Sequence, residues 1–225
     1  PSPAPINAQA EHVRLLDVQL LSNDWYVLRK VTFELQRRDG QWQRLSREAY
    51  DRGNGATLLL FNPRRGTVVL TRQFRLPAFL NGCADGHLLE ACAGLLDGDD
   101  PETCIRREAE EETGYRIRAP RKVFEAYMSP GSVTEKLHFF VADYEAADRV
   151  QEGGGLAHEG EDIEVVEMAL SEALAGIRED NDGRLCVGYT VVEAGSLAAS
   201  GGAGQQLNLR IVEAVDDVMG AISRP

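Results

Sequence analysis

One stretch of the chain, residues 93–115 (AGLLDGDDPETCIRREAEEETGY), restricts the possible folds more than any other. It contains three glutamates, Glu108, Glu111 and Glu112, at the spacing i, i+3 and i+4. In a helix this spacing places three mutually repelling carboxylates on one face. A divalent cation such as Mg²⁺ offsets that repulsion, because it prefers carboxylate oxygens. A run of glutamates is also typical of a solvated helix face, so the neighbouring residues must decide between the two.

Those neighbours indicate a helix with defined ends. A Gly-Leu-Leu-Asp-Gly turn precedes it, Pro101 lies in its first turn, and Gly114 follows its last residue. We therefore predict a helix over residues 101–113, with the glutamates near its carboxyl end.

The same residues resemble the Nudix box, G-x5-E-x7-R-E-U-x-E-E-x-G-U, in which U is apolar. The run from Arg107 to Tyr115 matches every fixed position of the second half, and Gly94 matches the first glycine. The first half departs at Asp100, which replaces a glutamate and is separated from Arg107 by six residues instead of seven. The resemblance implies an α/β fold, the Nudix α/β/α sandwich with a mixed sheet, and places the box helix at its mouth.

Composition excludes several classes of protein. A net charge of −12 argues against a basic surface that binds the nucleic-acid backbone. No apolar run reaches the length of a membrane span, and the N-terminus has no signal-peptide pattern. The four cysteines lack C-x-x-C spacing, which argues against a zinc site and favours reduced thiols of a cytoplasmic protein.

The chain divides by pattern into four parts. Alternation over residues 25–40, followed by a returning arm after the Asp39-Gly40 turn, predicts an N-terminal β-hairpin subdomain. Such a hairpin has little apolar area of its own, so it must pack on a sheet or a second subunit. The predicted parts are residues 1–12, disordered; 13–52, an N-terminal strand and dimerisation subdomain; 53–193, the Nudix domain; and 194–225, a Gly/Ala/Ser linker and a C-terminal amphipathic helix.

Short apolar runs predict the strands of the central domain. Bounding turn residues mark these segments as strands. The predicted strands are 56–62, 67–75, a single short strand over 87–92, 121–129, 137–145, and 161–170, which continues into a helix.

Beyond the box, the chain resembles the GDP-mannose pyrophosphatase branch of the Nudix hydrolases over roughly residues 13–192. This resemblance implies hydrolysis of a nucleotide sugar at its diphosphate bond. The segments that carry it are YDRGNGAT (50–57), RQFR (72–75), EACAGLLD (90–97), YMSPG (127–131), VTE (133–135), HFF (138–140), GGG (153–155) and EDIEV (161–165).

The resemblance assigns catalytic and metal-binding roles. It implies that Glu108, Glu112, Glu161 and the carbonyl of Ala93 bind Mg²⁺, with Mn²⁺ as the alternative ion. It makes Glu111 an adjacent helper, whereas charge balance predicts that Arg107 pairs with a box glutamate. Diphosphate hydrolysis needs a base for water, and the Gly-rich acidic loop offers either Glu161 or Glu159 for that task.

The resemblance also implies a substrate-binding set and a homodimer with a swapped N-terminal region. From the residues alone, Arg75 is equally an arginine paired with an acid at a strand end, and Trp25 is equally a dimer-core residue. His138, beside two phenylalanines, is predicted to be structural. The implied substrate-binding residues are Trp25, Ser46, Arg47, Glu48, Arg75, Gly94, Leu95, Glu135 and Arg184.

GDP-mannose is the substrate that this resemblance favours, with GMP and mannose 1-phosphate as products. Two alternatives stay open. The box encodes pyrophosphate cleavage and not the base, so ADP-ribose or a UDP-sugar is possible. A Nudix-fold sensor that binds a nucleotide without hydrolysis is the alternative from a different class of protein.

Overall fold

A computed structural model describes residue 6 and residues 10–179. The chain forms two compact units, Pro1–Asn54 with Tyr127–Lys136, and Gly55–Ala126 with Leu137–Pro225, here called the N-terminal unit and the second unit. The boundaries predicted from the sequence stay predictions. Arg184, the linker and the C-terminal helix lie outside the described residues, as does most of the predicted disordered N-terminus.

The N-terminal unit contains a three-stranded antiparallel sheet in the order β1-β2-β3. The predicted hairpin corresponds to β2 (Val27–Gln36) and β3 (Trp42–Asp51), and β1 (Val13–Asn23) is a third strand that the prediction lacks. The pairing of β1 with β2 shifts register twice, so the strand does not alternate regularly between apolar and polar residues. Because β1 lacks a regular alternation, the sequence pattern did not predict this strand.

The segment Tyr127–Lys136 belongs to the N-terminal unit through backbone bonds to the end of β3. The amide of Tyr50 donates to the carbonyl of Ser132 at 2.8 Å, and the amide of Thr134 donates to the carbonyl of Tyr50 at 3.0 Å. Residues distant in sequence, Glu135 among them, are thereby tied to the N-terminal unit.

A seven-stranded mixed sheet organises the rest of the chain. Its main path has the order β10-β5-β4-β9-β8, with β6 paired to β5 and β7 paired to β4. The β4–β9 pair is parallel, and the other pairs of β4 and β5 are antiparallel. The strands are β4 (Gly55–Asn62), β5 (Thr67–Phe74), β6 (His87–Glu90), β7 (Cys92–Leu95), β8 (Arg121–Tyr127), β9 (Lys136–Asp143) and β10 (Glu164–Ala169).

The strand predicted over residues 87–92 forms over His87–Glu90, whereas Cys92 begins the next strand. The chain leaves β5 at Ala91 and continues along β4, so one apolar run forms two strands with different partners. A short helix α1 (Leu76–Leu80) also escaped prediction, because its five residues are too few for a helical period.

Two hydrophobic clusters lie on opposite faces of the sheet. Helix α2 (Pro101–Glu108) contributes Ile105 to the cluster that includes Leu58 of β4. Helix α3 (Leu170–Glu179) contributes Ala173 to the cluster that includes Leu59. This layering confirms the predicted α/β/α sandwich. Within the described range, none of the helices is long and apolar enough to cross a membrane.

Candidate active site

Asp100 caps the amino-terminal end of helix α2. The Asp100 carboxylate accepts hydrogen bonds from the amides of Glu102 at 3.1 Å and Thr103 at 3.2 Å. A hydrogen bond from the Thr103 hydroxyl, together with these two, holds the pKa of Asp100 below its ordinary value. The residue that departs from the box pattern thus satisfies the amides of the first turn, and Pro101 follows it where a missing N–H costs nothing.

The carboxyl end of this helix is not a regular α-helix. From Ala109 to Thr113 the backbone widens into a π turn, and the helix ends at Gly114 with a φ of 80°. The predicted helix over residues 101–113 is confirmed in its bounds, and its last turn is π rather than α-helical. Such π turns occur frequently at functional sites. Here the turn carries Glu111 and Glu112, while Glu108 ends the regular part.

Glu108 lies directly against the backbone of β7. A Cβ atom on Gly94 would overlap the Glu108 carboxyl group, so only glycine leaves room for this contact. Burial raises the pKa of Glu108 to about 7, opposed by the neighbouring Arg107 guanidinium and assisted by the charges of Glu111 and Glu161. Gly94 is thus required because any larger residue would displace the Glu108 carboxyl group.

Glu112 is more deeply buried, with 2% of its surface exposed. Its Oε2 accepts a hydrogen bond from the Ala93 amide at 3.2 Å, and the Cys92 thiol also donates to the carboxylate. Burial, assisted by the charges of Glu108 and Glu161 and opposed by those two hydrogen bonds, raises the pKa of Glu112 to about 8. Two interacting carboxylates are therefore buried at the junction of α2 and β7.

The prediction that Arg107 pairs with box glutamates is confirmed. One guanidinium nitrogen lies 2.9 Å from Oε1 of Glu108 and 3.2 Å from Oε2 of Glu111. Arg107 therefore offsets part of the charge at the mouth of the site, whereas Glu112 is held by Cys92 and Ala93.

A glycine-rich loop brings a fourth carboxylate to this place. Oε2 of Glu161 accepts a hydrogen bond from the Leu156 amide at 2.9 Å, and the side chain is half-buried. Its charge raises the pKa of both Glu108 and Glu112. Glu159 is exposed and lies beside His158, with 3.7 Å between the nearest nitrogen and oxygen. The loop thus orients Glu161 inward and leaves Glu159 in solvent.

The carboxylates of this site suit a hard cation only if oxygens of water or phosphate complete its coordination. In the part of the chain that the structure describes, no three His, Cys, Asp or Glu side chains gather closely enough to hold a metal ion by themselves. Mg²⁺ usually takes one or two carboxylates and fills its remaining positions with water and phosphate oxygens. Two buried carboxylates with raised pKa values beside the β7 backbone fit that pattern.

Arg75 at the end of β5 is held by an acid that sequence reasoning gave no role. Its Nε and Nη2 atoms donate to Glu90 as a fork, with the shortest bond at 2.7 Å. Glu90 is 1% exposed, and about a third of the Arg75 side chain faces solvent. The sequence contained a signal for this pair, because Glu90 lies in the apolar strand HLLE and a buried charge needs a partner. Arg75 therefore forms an ion pair with an acid at the end of a strand, as the residues alone had predicted.

The remaining predicted residues are divided between the units. Gly94 and Leu95 lie on β7, and Gly94 contacts the Glu108 carboxyl group. Buried His138 on β9 has its Nδ1 atom 3.1 Å from Oε2 of Glu125, as a structural histidine would. The others belong to the N-terminal unit: exposed Trp25 in the β1–β2 turn, Ser46, Arg47 and Glu48 on β3, and buried Glu135.

Comparison with known proteins decides the family. The Nudix domain model matches residues 51–185, which is more than half of the chain. The chain belongs to the Nudix family. A second model, described as the GDP-mannose pyrophosphatase NudK N-terminal domain, matches residues 12–50 of this Nudix protein.

Similar proteins agree with this membership. GDP-mannose pyrophosphatase of Cronobacter sakazakii is 55% identical over 168 residues, which cover 75% of this chain and 87% of that protein. The protein of the same name from Pectobacterium atrosepticum is 53% identical over 180 residues, covering 80% and 91%. A crystal structure titled ADP compounds hydrolase shares the fold, with a TM-score of 0.59, 17% identity and coverage of 96% and 100%. The prediction of a Nudix hydrolase is confirmed.

Proposed function

We propose that this Nudix hydrolase cleaves the diphosphate bond of GDP-mannose, giving GMP and mannose 1-phosphate, with Mg²⁺ as its cofactor. The observation that carries the proposal is the pair of buried carboxylates, Glu108 and Glu112, packed against the β7 backbone. Burial and neighbouring carboxylates raise the pKa of both residues, and a bound cation stabilises their charged forms. The names of the relatives, 51–55% identical over three quarters or more of the chain, support GDP-mannose as the substrate.

Four groups would hold the ion: the carboxylates of Glu108, Glu112 and Glu161 and the carbonyl of Ala93. When bound, Mg²⁺ supplies polarisation of the phosphoryl oxygens and offsets the charge that develops on them. Mn²⁺ suits the same oxygen ligands. Arg107, which already pairs with Glu108 and Glu111, keeps the helix carboxylates in place.

Glu161 acts in this proposal as the general base. It takes a proton from the attacking water, whose oxygen forms a new bond to phosphorus while the bridging P–O bond breaks. The bridging oxygen leaves with the second phosphate as an anion. The inward orientation of Glu161 supports this role over the exposed Glu159.

Several further side chains are proposed to contact the substrate. Arg75, held as a fork by Glu90, presents a fixed guanidinium to a phosphate or sugar oxygen. Gly94 and Leu95 line the metal side. The further contacts that we propose are Trp25, Ser46, Arg47, Glu48, Glu135 and Arg184.

We also propose a homodimer in which the N-terminal region is swapped. Strand β1 exposes five large apolar side chains, a pattern typical of an interaction surface. Trp25, Arg47 and their neighbours would then contribute to the site of the partner. Light scattering at working concentration tests the dimer, and a monomer would remove these roles.

The substrate is tested by hydrolysis of a panel of GDP-mannose, ADP-ribose and UDP-glucose, each with Mg²⁺ and with EDTA. We expect turnover of GDP-mannose to lead and EDTA to abolish it. Metal-dependent turnover of ADP-ribose alone would keep the chemistry and overturn the substrate. The absence of turnover on all three would favour the sensor.

A further inference from the structure

Three consecutive glycines connect the base-bearing loop to the carboxyl end of the box helix. Gly153, Gly154 and Gly155 have φ values of 78°, 111° and 77°, which other residues rarely adopt. The Gly154 amide donates to the carbonyl of Glu112 at 2.9 Å, and the Gly155 amide donates to the carbonyl of Glu111 at 3.1 Å. The loop is therefore fixed to the backbone of the residues that carry the box carboxylates.

The last of these glycines also determines where Glu161 lies. A Cβ atom on Gly155 would be 2.5 Å from Oε2 of Glu161 and 2.8 Å from its Cβ. The adjacent Leu156 amide donates to the same Oε2 at 2.9 Å. The Glu161 carboxylate thus rests on the backbone of residues 155 and 156, in a place that any side chain at position 155 would occupy.

We propose that Gly155 is a positioning residue of the hydrolase, which acts through Glu161. By leaving space for the Glu161 carboxylate while its amide binds the box helix, Gly155 sets the distance between the base and the carboxylates of Glu108 and Glu112. The inference rests on the proposed function, because Glu161 matters to turnover only if the protein hydrolyses its substrate.

The chain contains a matched control for this inference. Gly160 lies in the same loop, directly before Glu161, and has a φ of 80°. A Cβ atom there would meet nothing within 4 Å. Alanine at either position pays a similar conformational penalty. The two substitutions differ in whether the new methyl group collides with Glu161.

The first experiment compares GDP-mannose turnover of Gly155→Ala and Gly160→Ala. We expect Gly155→Ala to lower kcat by about 10- to 100-fold relative to Gly160→Ala, since small displacements of a catalytic group have effects of that size. We expect KM to change by less than about threefold, because the substrate contacts lie elsewhere. Equal kcat values for the two variants would overturn the inference.

A double-variant cycle separates positioning from damage to the fold. In the Glu161→Gln background, where the base is already lost, we expect Gly155→Ala to lower the residual kcat no further than Gly160→Ala does. A full additional loss in that background would mean that Gly155 acts independently of Glu161, and would contradict the proposal.

A third measurement does not depend on turnover. In the metal-free protein we expect the hydrogen bond from the Leu156 amide to Glu161 to slow hydrogen exchange of that amide. We expect Gly155→Ala to speed exchange of this amide at least tenfold, and Gly160→Ala to leave it within about twofold. An unchanged amide in Gly155→Ala would refute the contact itself.

Failure of the inference differs from failure of the function. If wild-type protein hydrolyses GDP-mannose and Glu161→Gln does not, but both alanine variants are equal, only the role of Gly155 is wrong. If wild-type protein hydrolyses none of the panel, the proposed function is wrong, and the exchange experiment still reports on the Gly155–Glu161 contact.

Discussion

Strand β4 in the second unit and strand β1 in the N-terminal unit are both rich in leucine, yet they differ in burial. All eight residues of β4 are buried, because β5, β7 and β9 flank it and helices cover both faces of the sheet. Ten of the eleven residues of β1 are exposed. Strand β1 is the edge of a three-stranded sheet and carries Leu16, Val18 and Leu20 at 45–49% exposure.

This difference in burial indicates which of the two units is stable by itself. The second unit contains the two hydrophobic clusters, so we expect it to hold the Glu108 and Glu112 carboxylates in place without a second copy of the chain. The N-terminal sheet has apolar side chains to cover and an open edge, so we expect its structure to depend on a partner. Substitutions at the site in the second unit should therefore leave the oligomeric state unchanged, whereas charged substitutions on β1 should change it.

The largest effect is expected in the second unit at Gly94. Gly94→Ala would push the Glu108 carboxyl group from its place against β7, and we expect turnover to fall by about 100-fold while the oligomeric state is unchanged. Steady-state kinetics with light scattering measures both. Gly131→Ala is the control, since a Cβ atom there meets nothing within 4 Å. Equal turnover in the two variants would contradict this account of the box glycine.

The next effect is expected in the N-terminal unit at Leu20. Leu20→Asp places a charge on the exposed apolar strand, and we expect the proposed dimer to dissociate about 10- to 100-fold more readily, the equivalent of losing one buried leucine. Sedimentation over a range of concentrations measures it. Gln41→Asp, in the turn between β2 and β3, adds the same charge away from the strand. If both variants stay dimeric, β1 is not the interface.

A smaller effect concerns pH and metal in the second unit. The folded pKa values of Glu108 and Glu112, about 7 and 8, exceed the ordinary 4.5. The folded protein then binds more protons than the unfolded chain between pH 4.5 and 8, so the free energy of unfolding falls as pH rises through that window. Bound Mg²⁺ needs the deprotonated carboxylates and offsets this loss.

We therefore expect Mg²⁺ to raise the Tm by a few degrees at pH 8, and by less at pH 6. Thermal unfolding at both pH values, with Mg²⁺ and with EDTA, checks the prediction. In Glu112→Gln the dependence on Mg²⁺ should be weaker. A metal-induced rise in Tm that is larger at pH 6 would contradict the assigned pKa directions.

Sequence reasoning succeeded for features that are determined by residues close together in the chain. The spacing of Glu108, Glu111 and Glu112 predicted the acidic helix, and charge balance predicted the ion pairs of Arg107. The long apolar run of β4 and its bounding turns predicted a buried strand correctly. These features follow from local patterns, which a single sequence contains.

Sequence reasoning failed where the outcome depends on distant partners. The π turn, the division of residues 87–92 between two strands and the bulges of β1 are set by packing and register. Two contacts join residues that no helix or strand period relates. Arg75 pairs with Glu90, and the Glu161 carboxylate lies against Gly155. Only the assembled sheet and loop bring these groups together.

The most direct test of the account is the pair Glu112→Gln and Glu110→Gln, assayed for turnover and binding of GDP-mannose. The two glutamates are close in sequence, but Glu112 is buried at the site and Glu110 pairs with Arg116 on the surface. We predict that Glu112→Gln loses turnover about 100- to 1,000-fold while still binding GDP-mannose, and that Glu110→Gln behaves as wild type. Equal turnover in the two variants would contradict a catalytic role for the buried carboxylates.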